Sequence, residues 1–322
     1  MTRVHVWGAA GYAAAQAIEW IDRHPRLHVG ILESKSHAGT ALAESFPTFR
    51  RSGLRFSDSG SIASELSADD IVIAAGAHGT GRETVEAFLA RGARVVDLSA
   101  DFRSDERAAY GLAEWNRDAI ADAALVANPG CYPTASLLPL LPLIAFLSPL
   151  AVVIDAKSGI TGAGRTPTLG SMFAELDGEI RAYALSGHRH QPEIERVLAS
   201  HGCTAPLAFT PHVVPLSRGM LADVYLVLDR APDMRRVVDA LHGAYDRSPF
   251  VRLLESGCAP SVSAVVGTND AEISVDRCGN TIRAICAIDN LGKGAAGQAL
   301  QNINIMLGFP EEEGFRDRTV AA

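Results

Sequence analysis

Short β-branched runs alternate with helical patterns through the first third of the chain, and that alternation confines the region to βαβ units built on a parallel sheet. Val4 to Trp7 reads as a first strand, Gly8-Ala9-Ala10-Gly11-Tyr12-Ala13-Ala14 as the turn after it, and Ala15 to Arg23 as a helix that His24-Pro25 stops. Leu27–Leu32, Ile71–Ala75 and Ala93–Leu98 read as further strands, Thr80–Arg91 as a helix, and Ala124–Ala127 as a short run leading to Cys131. From about Leu150 the runs lengthen and alternate: Ala151–Ala156, Ala222–Leu228, Glu272–Val275 and Thr281–Ile288 suit a mixed or antiparallel sheet. A last helix, Ala295–Leu307, is entered through Gly292-Lys293-Gly294 and ended by Gly308-Phe309-Pro310. The tail Glu311–Ala322 is expected to be loosely ordered.

At 322 residues and 48% hydrophobic, the chain is long enough for two domains, each with its own core. A net charge of -8 argues against nucleic-acid and anionic-membrane partners, which demand a basic face. The run Ala135–Ile154 is apolar enough to cross a bilayer, but Pro139, Pro142 and Pro149 are expected to interrupt it, giving a helix, a turn and a buried strand. Five cysteines with no CxxC pair and no zinc-type spacing read as reduced thiols without a metal, and the absence of an apolar leader fits a cytoplasmic protein.

Asn128-Pro129-Gly130-Cys131-Tyr132-Pro133-Thr134 puts a cysteine directly after a Pro-Gly turn and before a helical run. Unpaired N–H groups and the positive end of the helix dipole at such a place favour thiolate, and the same N–H groups can receive an oxyanion; the alternative is a small residue buried in a tight turn. The Gly8-to-Ala14 turn, between a strand and a helix, has the context of a dinucleotide fingerprint, with Gly8 making the turn, Gly11 admitting a pyrophosphate and Ala14 at the packing position. After the second strand, Glu33 suits the ribose hydroxyl of NAD, whereas Ser34, Lys35 and Ser36 suit the 2′-phosphate of NADP; two hydroxyls and an ammonium favour the phosphate. Ser158-Gly159-Ile160-Thr161-Gly162-Ala163-Gly164-Arg165 allows close backbone approach to a ligand that Arg165 could clamp. His188-Arg189-His190 precedes a helix expected to start near Pro192, and His212 and Arg218 lie on a proline-stiffened loop.

In order, NPGCYPT at Asn128, SGITGAGR at Ser158, HRHQPEI at His188, FTPHVVPLSRG at Phe209 and DNLGKGAAGQALQN at Asp289 closely resemble the N-acetyl-gamma-glutamyl-phosphate reductases, NADP-dependent enzymes of arginine biosynthesis related to aspartate-semialdehyde dehydrogenase. The resemblance spans nearly the whole chain. It implies an α/β protein: a Rossmann-type parallel-sheet domain, residues 1–130 with 290–322, joined to an α/β catalytic and dimerisation domain with a mixed sheet, residues 131–289. It implies reduction of N-acetyl-gamma-glutamyl phosphate to the 5-semialdehyde with phosphate release, through a thioester on Cys131, with His190 as acid/base and His188 as the other candidate. Cofactor contacts would fall on Gly8, Ala10, Gly11, Tyr12, Ala13, Ser34, Lys35, Ser158, Gly159, Gly162 and Asn290. Substrate contacts would fall on Asn128, Arg103, Arg165, His188, His212 and Arg218. The cofactor would be NADP and the assembly a homodimer or homotetramer. Two segments depart from the family pattern: Ala75-Gly76-Ala77-His78-Gly79-Thr80-Gly81 replaces one that usually reads Leu-Pro-His-Gly, and Ala13-Ala14 replaces Thr-Gly. The rival readings are a sister reductase of aspartyl or carrier-bound aminoadipyl phosphate, and a nucleotide-binding homologue without catalysis.

Overall fold

The computed structural model describes residues 1–315 and divides into two compact units, one from Met1–Pro129 together with the chain from Ala295 onward, the other from Gly130–Gly294.

In the first unit seven strands form one sheet in the order β3-β2-β1-β4-β5-β7-β6: β1 (Thr2–Trp7), β2 (Leu27–Glu33), β3 (Phe56–Ser57), β4 (Ile71–Ala74), β5 (Arg94–Asp97), β6 (Ala109–Tyr110) and β7 (Leu125–Ala127). Every pairing is parallel, as the βα alternation requires. The helices are α1 (Tyr12–Arg23), the short α2 (Leu42–Ser45) and α3 (Ser61–Glu65), α4 (Arg82–Leu89) and α5 (Ala113–Ala121). Ala14, Ala17, Ile18 and Ile21 give α1 one apolar face, which packs with Val4 and Val6 of β1 in the main core. Strand order reverses at β1, between β2 and β4, where an open α/β sheet leaves a crevice for a ligand.

The second unit begins with α6 (Cys131–Ile144), followed by β8 (Ala151–Ser158), α7 (Phe173–Leu176), β9 (Arg181–Ala182), α8 (His190–Ser200), β10 (Leu207–Val213), β11 (Met220–Val227), α9 (Met234–Tyr245), β12 (Val251–Leu253), α10 (Val262–Val265), β13 (Ala271–Cys278) and β14 (Thr281–Ile288). Its strands form a mixed sheet in the order β12-β13-β14-β11-β8-β10-β9. The central β11 alternates buried and half-buried residues along its length, as a half-covered sheet should. Helix α6 packs on β11 and β14, between α8 and α9, and every residue from Tyr132 to Ile144 is buried. A π-turn at Gly292–Ala296 leads into α11 (Gly297–Met306), which packs on α1 and α5.

Two expectations are corrected and one is met. Pro139 and Pro142 lie inside α6 and do not interrupt it. Pro142 has no N–H for the Leu138 carbonyl, and the Tyr245 hydroxyl donates to that carbonyl instead, at 2.5 Å, so a neighbouring helix repairs the bond that proline removes. Helix α8 starts at His190, close to Pro192 as expected, and the proline sits in the first turn, where its missing N–H costs nothing. The tail is anchored as far as it is described: Arg26 and Arg117 pair with Glu313 and Glu311, Asn304 donates to the carbonyls of both glutamates, and the Phe315 ring lies 5.4 Å from Trp20. Residues 316–322 of that segment lie outside the described residues. No helix among the described residues is long and apolar enough to cross a membrane.

Candidate active site

Cys131 is the first residue of α6 and a half-buried thiol outside any disulfide. The cap before it, Gly130, is extended (φ -69°, ψ 157°) and supplies no side-chain cap to the N–H groups of the first turn. Gly130 is held at both ends: its N–H donates to Glu193 Oε1 at 3.0 Å, and its carbonyl accepts from the N–H and the hydroxyl of Thr134 at 2.9 and 3.0 Å. A Cβ on Gly294 would lie 2.8 Å from the Cys131 Cβ, so only glycine permits this approach of the chain to the cysteine.

His190 opens α8, and its backbone N–H donates to Nδ1 of His188 at 3.1 Å. That bond makes Nδ1 of His188 an acceptor and puts the proton of the neutral ring on Nε2. Burial, with a smaller contribution from the Arg189 charge, pushes the His188 pKa down to about 4, so this imidazole is neutral at physiological pH. The two imidazoles stand 4.9 Å apart, centroid to centroid, and Tyr132 meets both edge-on at 5.5 and 5.8 Å, with Phe209 and Tyr183 closing the cluster around His188. Tyr132 donates to the His212 carbonyl at 3.0 Å and accepts from the Tyr183 hydroxyl at 3.2 Å. Burial pushes both phenols above their ordinary range, so they remain hydrogen-bond donors.

A cavity of about 320 Å³ opens over these groups. Of the sequence-predicted residues, Cys131, His190, His188, His212, Ser158, Gly159 and Gly162 line it together, drawn from α6, α8 and the loop before it, β8 and the loop after it, and β10. Five others do not line it. Arg218 pairs with the fully buried Asp289 at 2.6 Å. Asn290 donates to Thr161 Oγ1 at 3.0 Å and accepts from the Gly219 N–H at 2.7 Å, tying together the loops after β8 and before β11. Arg165 stands half-buried on the loop after β8. In the first unit, Asn128 bonds to the Ala295 carbonyl and to Asn302, while Arg103 bonds to the carbonyls of Asn128 and Leu98; both are buried. The cavity's cations are Arg189, the guanidinium that the sequence sets between the two histidines, and Arg181, which sequence reasoning missed along with Tyr132, Tyr183 and Glu193. The HRHQPEI and NPGCYPT motifs carried Arg189, Glu193 and Tyr132, but nothing in spacing said that these side chains converge.

In the first unit a second cavity, about 770 Å³, lies beyond the end of β1. Gly8, Ala10, Ser34 and Lys35 line it, with Glu33 and Ser36. Gly8 takes φ +76°, and a Cβ there would meet the Ala75 and Gly76 backbone at 2.7 Å. Gly11 caps α1 with no side-chain hydrogen bond and with open space where its Cβ would be, so the N–H groups of Tyr12 and Ala13 head an uncapped helix that fits an anionic phosphate. Glu33 is buried, and its Oε2 accepts from the Ile62 N–H at the start of α3 at 3.2 Å.

Residues 3–123 match the family model described as semialdehyde dehydrogenase, NAD binding domain, and residues 131–290 the one described as semialdehyde dehydrogenase, dimerisation domain. A Geobacillus stearothermophilus protein named N-acetyl-gamma-glutamyl-phosphate reductase is 36% identical over 345 residues, covering 98% of each chain. One of the same name from Neisseria gonorrhoeae is 40% identical over 334 residues, covering 95% of each. The crystal structure of aspartate semialdehyde dehydrogenase II from Vibrio cholerae superposes with a TM-score of 0.76 at 17% identity, covering 95% of this chain and 98% of the other, which bears on fold alone.

Proposed function

The chain belongs to the N-acetyl-gamma-glutamyl-phosphate reductase family, and from that premise we propose that it reduces N-acetyl-gamma-glutamyl phosphate to the 5-semialdehyde, using NADPH and a thioester on Cys131. The observation that carries this reading is the shared cavity in which the first residues of two helices, Cys131 and His190, face the same space. His190 takes the thiol proton, and the uncapped start of α6 stabilises the resulting thiolate. Sulfur attacks the acyl carbon, a C–S bond forms, and the C–O bond to phosphate breaks, releasing protonated phosphate. When bound, a nicotinamide would supply the hydride for the thioester carbonyl. N–H groups of the first turn of α6 then hold the oxyanion, and as the carbonyl re-forms the C–S bond breaks and His190, reprotonated from solvent after phosphate leaves, gives a proton to sulfur. His188, neutral with Nδ1 occupied, holds the His190 backbone and is unsuited to exchange protons at neutral pH. Arg181 and Arg189 supply the cations that an anionic substrate requires.

NADP is favoured over NAD because Glu33, the acid that would bind a free ribose hydroxyl, is engaged by the start of α3, while Ser34, Lys35 and Ser36 line the same cavity. The test is reduction of NADP by N-acetyl-glutamate semialdehyde in the presence of phosphate. Turnover should depend on phosphate and vanish in Cys131→Ser while NADPH still binds. Lys35→Ala should weaken NADPH binding about 10-fold or more and leave NADH unaffected. Turnover that survives in Cys131→Ser would exclude this mechanism, and a strong kinetic preference for aspartyl or aminoadipyl phosphate would exclude the substrate.

A further inference from the structure

Glu193 stands apart from the groups that face the cavity. It lies in the first turn of α8, three residues after His190, and is buried to 6% exposure. Its Oε1 accepts the N–H of Gly130, the cap residue of α6 directly before Cys131, at 3.0 Å. A carboxyl that accepts the N–H of an N-cap residue is half of a capping box, ordinarily supplied by the third residue of the same helix. Position 133 in this chain is proline and supplies no such group, so the carboxyl comes from a different helix. One turn of α8 thus carries both the imidazole of the acid/base candidate and the arm that grips the backbone next to the sulfur.

We propose that Glu193 is a positioning residue that sets the distance between Cys131 and His190 by tying the start of α6 to the start of α8. The bond needs an acceptor oxygen at the end of an arm of this length and does not need a charge. The proposal rests on the reading of Cys131 as nucleophile and His190 as its acid/base. A sub-ångström requirement on reacting groups makes such a tie worth about 100-fold in rate.

The test compares Glu193→Gln, Glu193→Ala and Glu193→Asp in the full chain, with Cys131→Ser and His190→Ala as references. Glu193→Gln keeps the acceptor and should hold kcat within about tenfold of the parent, whereas Glu193→Ala should lower it about 100-fold with KM for NADPH unchanged. Glu193→Asp keeps the carboxyl but shortens the arm by one carbon; it should resemble Glu193→Ala, and it serves as the measurable variant if alanine prevents folding. The double variant Glu193→Ala with His190→Ala should be little worse than His190→Ala alone, because both losses act on the same proton transfer. Loss in Glu193→Gln equal to that in Glu193→Ala, full additivity with His190→Ala, or kcat within threefold of the parent in Glu193→Ala would each overturn the proposal. Activity persisting in Cys131→Ser would instead strike the underlying reading, so the two failures are distinguishable.

Discussion

Of two histidines two residues apart, one holds the backbone of the other. His188 gives up Nδ1 to the backbone of His190 and is buried, which depresses its pKa from 6.5 to about 4. Between those values the unfolded chain binds the proton that the folded chain refuses, so stability is intact above about pH 6.5 and falls as the pH drops toward 4, by roughly 3 kcal/mol in all. His188→Gln, which keeps an acceptor near the His190 N–H, should flatten that slope; urea midpoints measured across the window would check it, and an unaltered slope would contradict the assignment. The distinction between the two rings was not legible in the sequence, where both are imidazoles in one polar loop. The helix start at Cys131 was legible, because a Pro-Gly pair followed by an apolar run is a local signal. Arg218 shows the opposite case: whether a guanidinium faces a ligand or a buried Asp289 depends on a partner 71 residues away.

At the scale of elements, α6 departs most from its local sequence. Two prolines in a helix interior ordinarily break it, and periodicity alone gives no reason for the helix to continue. The reason lies in α9, whose Tyr245 fills the bond that Pro142 leaves open at Leu138. Tyr245→Phe should therefore cost about 1–3 kcal/mol of stability, the penalty for a buried carbonyl without a donor. Adding Pro142→Ala restores an N–H at that place and should recover part of the loss, visible as a sub-additive double-variant cycle in urea unfolding. Full additivity would show that the hydroxyl and the proline are unconnected. Start and stop signals worked better at α11, where Gly292-Lys293-Gly294 and Gly308-Phe309-Pro310 bracket a helix observed at Gly297–Met306.

At the scale of the whole molecule, the all-parallel sheet was legible because each strand is followed by its own crossover, so the topology is written in consecutive segments. The second sheet was legible only as mixed: β8 pairs with β10 in parallel and with β11 antiparallel, and no local pattern encodes that choice. The two units divide the proposed labour, the first with an uncapped helix and a cavity lined by Ser34, Lys35 and Ser36, the second with a thiol and an imidazole on one cavity. The covalent step can be isolated by withholding phosphate: N-acetyl-glutamate semialdehyde and NADP should then yield a burst of NADPH equal to the number of sites, with the acyl group recovered by mass spectrometry on the peptide bearing Cys131. A burst without an adduct on Cys131, or an unchanged burst in Cys131→Ser, would contradict the thioester route.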